Sequence, residues 1–266
     1  MQFTAGDVSS SERSRLRSEI SVFGREVSMQ PKKSIIVPCY NEAANLPVLI
    51  SRFEALARHG RSHDWELVLV DNGSTDDSAA VFERELAVPG RAFARVVRVP
   101  VPNVGYGHGI MTGLRAAAGE YLAWTHADGQ TPPADVLRAF DVLIGASDPR
   151  RTFVKGRRRG RPLQDTLFTL GMQVAAVALL RTNLDDINAQ PKAFHRDLLQ
   201  LAVAPPDDLS LDVYFFWLAR KHRFALKTID VQFGAREHGE SKWAFNWRSK
   251  ARNIARTVRF MAATGW

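Results

Sequence analysis

Four short apolar runs, each followed by a stretch with helical spacing, limit what this chain can fold into. Ser34-Ile35-Ile36-Val37-Pro38 is β-branched and ends in proline. Leu46, Leu49, Ile50, Phe53 and Leu56 then recur on one helical face, which predicts a helix over 43–58. Glu66-Leu67-Val68-Leu69-Val70 is apolar enough for a strand buried on both faces, and Ser74, Thr75 and Asp76 are N-cap candidates for a helix running to Leu86. The same alternation gives a strand over 94–99, a helix over 105–118, a strand over 121–125 and a helix over 132–144 opened by prolines. This order predicts a parallel sheet with helices on both faces.

In such folds ligands sit beyond the carboxyl ends of the strands. Polar residues gather there. Tyr40 and Glu42 follow the first strand, Asp71 ends the second, and His126, Asp128 and Gln130 follow the fourth. Turn chemistry alone would account for one such group; three on one rim predict a site. Alternate positions of an extended segment point the same way, so His126, Asp128 and Gln130 are candidate ligands for Mg²⁺ or Mn²⁺. The glycine-rich run Asn103-Val104-Gly105-Tyr106-Gly107-His108-Gly109 opens a helix, where backbone N–H groups can hold phosphate, but it lacks the lysine ending of a P-loop.

Charge narrows the partner. Lys and Arg number 36 against 28 Asp and Glu, a net +8, which favours anionic ligands. Five cations fall in Lys155-Gly156-Arg157-Arg158-Arg159-Gly160-Arg161, read as either a solvated surface loop or a phosphate clamp. Residues 236–259 carry seven cations against two acids, interleaved with Trp243, Phe245, Trp247 and Ile254. That pattern suits either an interfacial helix on an anionic membrane or a basic helix packing its aromatics on the core. Residues 1–30 read as a mobile leader, and the apolar stretch at 167–180 is too short and too polar to span a bilayer. Cys39 is the single cysteine, so no intrachain disulfide forms.

The motifs together resemble glycosyltransferase family 2, and within it the dolichol-phosphate mannose synthase and polyprenyl-phosphate glycosyltransferase branch. The resemblance covers residues 33–242. It rests on Val37-Pro38-Cys39-Tyr40-Asn41-Glu42, Val70-Asp71-Asn72-Gly73-Ser74-Thr75-Asp76, Asn103-Val104-Gly105-Tyr106-Gly107 and Ala127-Asp128-Gly129-Gln130-Thr131-Pro132-Pro133. Lys155-Gly156-Arg157-Arg158, Asp186-Ile187-Asn188-Ala189-Gln190-Pro191-Lys192-Ala193-Phe194 and Arg236-Glu237-His238-Gly239-Glu240-Ser241-Lys242 complete it.

The resemblance implies a GT-A, Rossmann-like α/β fold: a mostly parallel central sheet flanked by helices, spanning 31–235, with a basic amphipathic C-terminal helical segment over 236–266. It implies an inverting, metal-dependent hexosyltransferase using Mg²⁺ or Mn²⁺ and a UDP- or GDP-sugar. Pro38, Tyr40, Glu42, Asp71, Asn103, Gly105 and Gly107 would face the donor. Asp128 and Gln130, with His126, would hold metal and diphosphate. Asp186 would lie near the sugar and acceptor, and Arg157, Arg158, Lys192, Arg236, Ser241 and Lys242 would grip phosphate. Three positions depart from the family pattern: His126 replaces the first acid of Asp-x-Asp, Asn72 the second acid of the strand-two motif, and Gln190-Pro191 a Gly-Phe pair.

The expected acceptor is a polyprenyl phosphate, met by a peripheral protein on the cytoplasmic face of a membrane. A phosphate acceptor is already anionic and needs no strong base; a hydroxyl acceptor needs one. Asp212 lies where hydroxyl-using members often place that base, and equally reads as an acid at a helix start. The alternatives are a soluble transferase using a hydroxyl acceptor, a non-catalytic sugar-nucleotide binder, and a basic nucleic-acid module. For the last there is no zinc-finger, helix-turn-helix or RNA-recognition motif, so nucleic acid is not an expected partner.

Overall fold

The computed structural model describes residues 32–59, 64–159, 186–232 and 234, with 255–257, 259–260 and 262 near the C-terminus. The expectations for residues 1–30, for 167–180 and for Arg236, Ser241 and Lys242 lie outside these.

Strands and helices alternate as the sequence predicts. They run β1 (Lys33–Cys39), α1 (Leu46–His59), β2 (Trp65–Asn72), α2 (Ser78–Leu86), β3 (Ala94–Val99), α3 (Tyr106–Ala116), β4 (Tyr121–Trp124) and α4 (Pro133–Ile144). A 3-10 turn, Pro149–Arg151, leads into β5 (Thr152–Arg159). Then come β6 (Lys192–His195), α5 (Arg196–Gln200), α6 (Leu211–Lys221) and β7 (Ala225–Gln232). Helix starts differ from expectation by a few residues. α2 begins at Ser78, after Asp77, with the N-cap candidate Asp76 accepting from Ser78 N through Oδ1 at 3.0 Å. α6 begins at Leu211, just after a turn in which Asp208 Oδ1 accepts from Ser210 N.

The strands form one seven-stranded sheet, ordered β3-β2-β1-β4-β6-β5-β7. It is mostly parallel, with one reversal. β6 pairs antiparallel with both β4 and β5, while β5 and β7 are parallel. The reversal brings the start of β6, at Lys192, opposite Trp124 at the end of β4.

Alternation along the strands splits the core in two. Ile36, Val68, Val70, Trp124, Phe153 and Phe194 face one side, under α3 and α6 with Ile110, Leu114 and Phe215. Ile35, Val37, Leu67, Leu69, Ala123 and Val154 face the other, under α1 and α4 with Ile50, Phe53, Val136 and Phe140. Each such fully buried aliphatic or phenyl group contributes about 1.5–3 kcal/mol. No described helix is long and apolar enough to cross a membrane. In the basic C-terminal segment Thr257 is buried, and the Phe260 ring lies 6.0 Å from that of Tyr214 on α6.

Candidate active site

Two loops at the carboxyl ends of β1 and β2 are bound together by side chains. Asn41, at φ 53°, donates its own N–H to Ser74 Oγ and accepts from Thr75 N at 2.7 Å. Glu42 N donates to Ser78 Oγ, and Ala43 N to Asp76 Oδ2. Asp71 Oδ1 accepts from Ser74 N, which fixes the turn after β2. Glu42 and Asp71 both lie near Cys39, whose thiol is raised well above its ordinary pKa, first by burial and then by these two carboxylates. Pro38, Tyr40, Glu42 and Asp71 therefore sit on one edge of the rim, with Pro38 and Tyr40 part-buried.

The glycine run serves a close approach of backbones. A Cβ on Gly105 (φ 154°) would lie 2.2 Å from the Asp207 carbonyl oxygen, and one on Gly107 2.2 Å from that of Pro206. His108 N donates to Asp207 O at 3.1 Å, and the His108 ring meets the Asp207 carboxylate at 3.1 Å. The first turn of α3 thus gives one N–H, that of His108, to a protein carbonyl. Asn72 and Asn103 lock the other side. Asn72 Nδ2 donates to Gly105 O at 2.9 Å, and Asn103 Nδ2 to Asn72 O at 2.6 Å. Asn72 thus makes a bond to a carbonyl that an aspartate could not make.

At the centre lies a chain of buried polar groups. Lys192 Nζ is 2.7 Å from Asp212 Oδ1 and donates to Ala189 O at 3.2 Å. Gln190 Nε2 donates to Asp212 Oδ1 at 3.2 Å and to Tyr106 Oη at 3.1 Å. The His126 ring packs 5.7 Å from the Tyr106 ring. Burial lowers the His126 pKa; Asp128 and Asp212 pull it back up, while Lys192 and Arg158 push it further down. Asp128 Oδ1 accepts from Gln130 N, and Gln130 Nε2 donates to Gly234 O, just past β7.

The arginine-rich run is a strand through Arg159, and its alternation separates its cations. Arg158 points to Asp186, which sits at φ 45°. Its backbone N–H, Nε and Nη2 all reach the Asp186 carboxylate, the first at 2.7 Å. Arg157 and Arg159 point the other way and share Asp230 of β7, at 2.7 and 3.1 Å. Asp128, Asp212, Lys192 and Arg158 thus come together around His126, with Asp186 against Arg158, while Arg157 lies on the opposite face. Tyr106 and Gln190 carry contacts that the sequence reading did not assign. The only signals were the tyrosine inside the glycine run and the Gln190-Pro191 departure.

A family model described as glycosyl transferase family 2 matches residues 34–200. The chain belongs to that family. It is 30% identical over 216 residues to the undecaprenyl-phosphate 4-deoxy-4-formamido-L-arabinose transferase of Pseudomonas fluorescens, covering 79% of this chain and 60% of that one. The corresponding transferase of Pectobacterium carotovorum is 30% identical over 218 residues, covering 80% and 62%. The chain thus spans about three fifths of the length of the curated relatives it matches. Among solved structures, glucosyl-3-phosphoglycerate synthase of Mycobacterium tuberculosis superposes with a TM-score of 0.67 at 20% identity, covering 88% of this chain and 80% of that one. A mannosyltransferase of Pyrobaculum calidifontis, in complex with GDP-Man and Mn²⁺, gives 0.62 at 23% identity, covering 93% and 71%. These likenesses establish the GT-A fold.

In this family 2 chain Asp128, beside His126 and Gln130, offers the oxygen and imidazole donors that a divalent cation takes. Asp128, Asp186 and Asp212 supply three formal negative charges against two positive ones from Lys192 and Arg158. The described residues hold no group of three or more His, Cys, Asp or Glu able to cage an ion. The donor set is therefore sparse, as for a metal that takes one or two protein ligands and completes its shell from phosphate and water.

Proposed function

We propose that this chain transfers a sugar from a nucleoside-diphosphate sugar to a polyprenyl phosphate, with inversion at the anomeric carbon. The observation that carries this reading is the Lys192–Asp212 pair. Asp212 is the acid that the family resemblance offers as a base toward a hydroxyl, and it is shut from water and tied to an ammonium. A base so engaged is poorly suited to deprotonate an alcohol, whereas a phosphate monoester arrives already ionised. The names of the undecaprenyl-phosphate transferases above support the same acceptor class.

In the step, an oxygen of the acceptor phosphate forms a bond to the anomeric carbon. The bond from that carbon to the nucleoside diphosphate breaks on the opposite side, and the leaving group keeps the electron pair. Asp128, with His126 and Gln130 beside it, would hold Mg²⁺ or Mn²⁺, and the ion supplies charge neutralisation for the departing diphosphate. Pro38, Tyr40, Glu42 and Asp71 would hold the nucleoside. Arg158 and Asp186 would border the acceptor, and Arg236, Ser241 and Lys242 would add phosphate contacts. The protein would work as a peripheral enzyme on the cytoplasmic face of an anionic membrane.

The test is nucleotide release from UDP- and GDP-sugars, with Mg²⁺ or Mn²⁺, with and without a short polyprenyl phosphate. Release that requires the lipid phosphate and follows its concentration is the expected result. Release driven instead by a soluble hydroxyl acceptor, with no response to the lipid, overturns it.

A further inference from the structure

Among the described residues, the hydrogen bonds around Gln190 leave one proton in the site without an acceptor. Gln190 Nε2 has two hydrogens, and both are engaged, one by Asp212 and one by the Tyr106 oxygen. Turning the amide over would aim its carbonyl oxygen at the Asp212 carboxylate, so its orientation is fixed. The cost is visible: Gln190 Oε1 is buried with no partner among the described residues. The Tyr106 oxygen therefore accepts from Gln190, and its own proton must point elsewhere.

That proton is permanent. A phenol titrates at about 10, so its proton stays on at neutral pH. The nearby carboxylates are already engaged. Asp212 takes Lys192 and Gln190, and Asp128 Oδ1 takes Gln130 N. No described hydrogen bond uses the phenol proton. The ring itself is braced by packing against His126 and by standing at the start of α3, where Asn72 and the 206–208 segment hold the backbone.

We infer that Tyr106 is a substrate-binding residue whose hydroxyl donates a hydrogen bond to a phosphate oxygen in the site, with Gln190 as the positioning residue that aims it. This rests on the transferase reading above. The ligand chemistry is an anionic phosphate oxygen, which either the donor diphosphate or the acceptor phosphate supplies. A hydrogen bond to a charged group is worth about ten- to a hundredfold in affinity.

The test uses Tyr106→Phe, which keeps the ring and its packing. UDP and GDP, each with Mn²⁺, are titrated by calorimetry, and the KM for a short polyprenyl phosphate in detergent is measured separately. The expected result is a loss of about ten- to a hundredfold in one of these two arms, with an unchanged melting temperature. A loss in the nucleotide arm assigns the contact to the donor, and a loss in the lipid arm assigns it to the acceptor. Gln190→Met should reproduce part of the same loss and add little on top of Tyr106→Phe. Equal nucleotide affinity and equal lipid KM in Tyr106→Phe and the parent overturn the inference while leaving the transferase reading intact. A parent protein that binds neither nucleotide nor lipid phosphate overturns both.

Discussion

Lys192, at the start of β6, and Asp212, in the first turn of α6, form an ion pair of 2.7 Å with side-chain exposures of 0% and 2%. Nothing in the local sequence joins them. The reversal of β6 brings Lys192 beside Trp124, with the ammonium 5.6 Å from the indole ring centre, and α6 brings Asp212 down onto it. Burial lowers the Lys192 pKa, and Asp212 opposes that shift.

Removing one partner should therefore cost more than removing both. Lys192→Met leaves a carboxylate buried without its cation, a loss of about 3–5 kcal/mol. Adding Asp212→Asn should restore most of it, since Gln190 can still donate to an amide oxygen. Urea unfolding of the two variants decides it. A single variant within about 1 kcal/mol of the parent would show that Asp212 has found another partner.

Arg158 and Arg157 are adjacent in sequence and should behave as opposites. Arg158→Ala strips the guanidinium from the buried Asp186 and should cost about 3 kcal/mol. Arg157→Ala breaks a half-exposed pair whose acid keeps Arg159, and should change stability by less than about 1 kcal/mol. Thermal unfolding of both variants gives the comparison, and equal losses would contradict the strand alternation.

Asn72→Asp would restore the acid that the family pattern expects, and should still destabilise the protein. The new carboxylate would face the Gly105 carbonyl that Asn72 now donates to, inside a site where a Cβ on Gly109 would already lie 2.6 Å from the Asn72 amide. The expected cost is about 1–3 kcal/mol by denaturant unfolding. A variant as stable as the parent would mean that the glycine run is held by Asn103 and residues 206–208 alone.

The first half of the fold was legible because its signals are local. Runs such as Leu67–Val70 and the helical spacing of Leu46, Ile50 and Phe53 need no distant partner to be read. The reversed β6 was not legible, since Lys192–His195 is four residues long and its direction is set by pairing with β4 and β5. Strand β5 was hidden by its charges. Cations normally mark solvent, but here Arg158 and Arg157 meet acids that lie 28 and 73 residues away. The rim carrying Asp71, His126 and Asp128 followed from strand order. The link from Lys192 through Asp212 and Gln190 to Tyr106 did not, because it joins three segments that only tertiary packing brings together.

Glu66 gives a prediction in pH. Its Oε1 accepts from Ser34 Oγ at 2.7 Å and from Ala118 N at 2.6 Å, and Oε2 accepts from Arg95 Nε at 2.8 Å. Burial alone would raise the carboxyl pKa, but these three donors outweigh it and hold it below the ordinary 4.5. In the interval between the depressed folded value and 4.5, the unfolded chain binds more protons than the folded one. Stability therefore rises with pH across that interval, is fully present above 4.5, and is lost as pH falls through the folded value. Glu66→Gln removes the charge that Arg95 meets. At pH 7 it should cost about 1 kcal/mol, the low end for a charged hydrogen bond, because Arg95 is partly exposed and solvent screens the pair. The gap between parent and variant should narrow as the pH is taken below 4.5. Denaturant unfolding at a series of pH values measures it, and a gap that stays constant down to the acid transition would remove Glu66 from the acid-sensitive set.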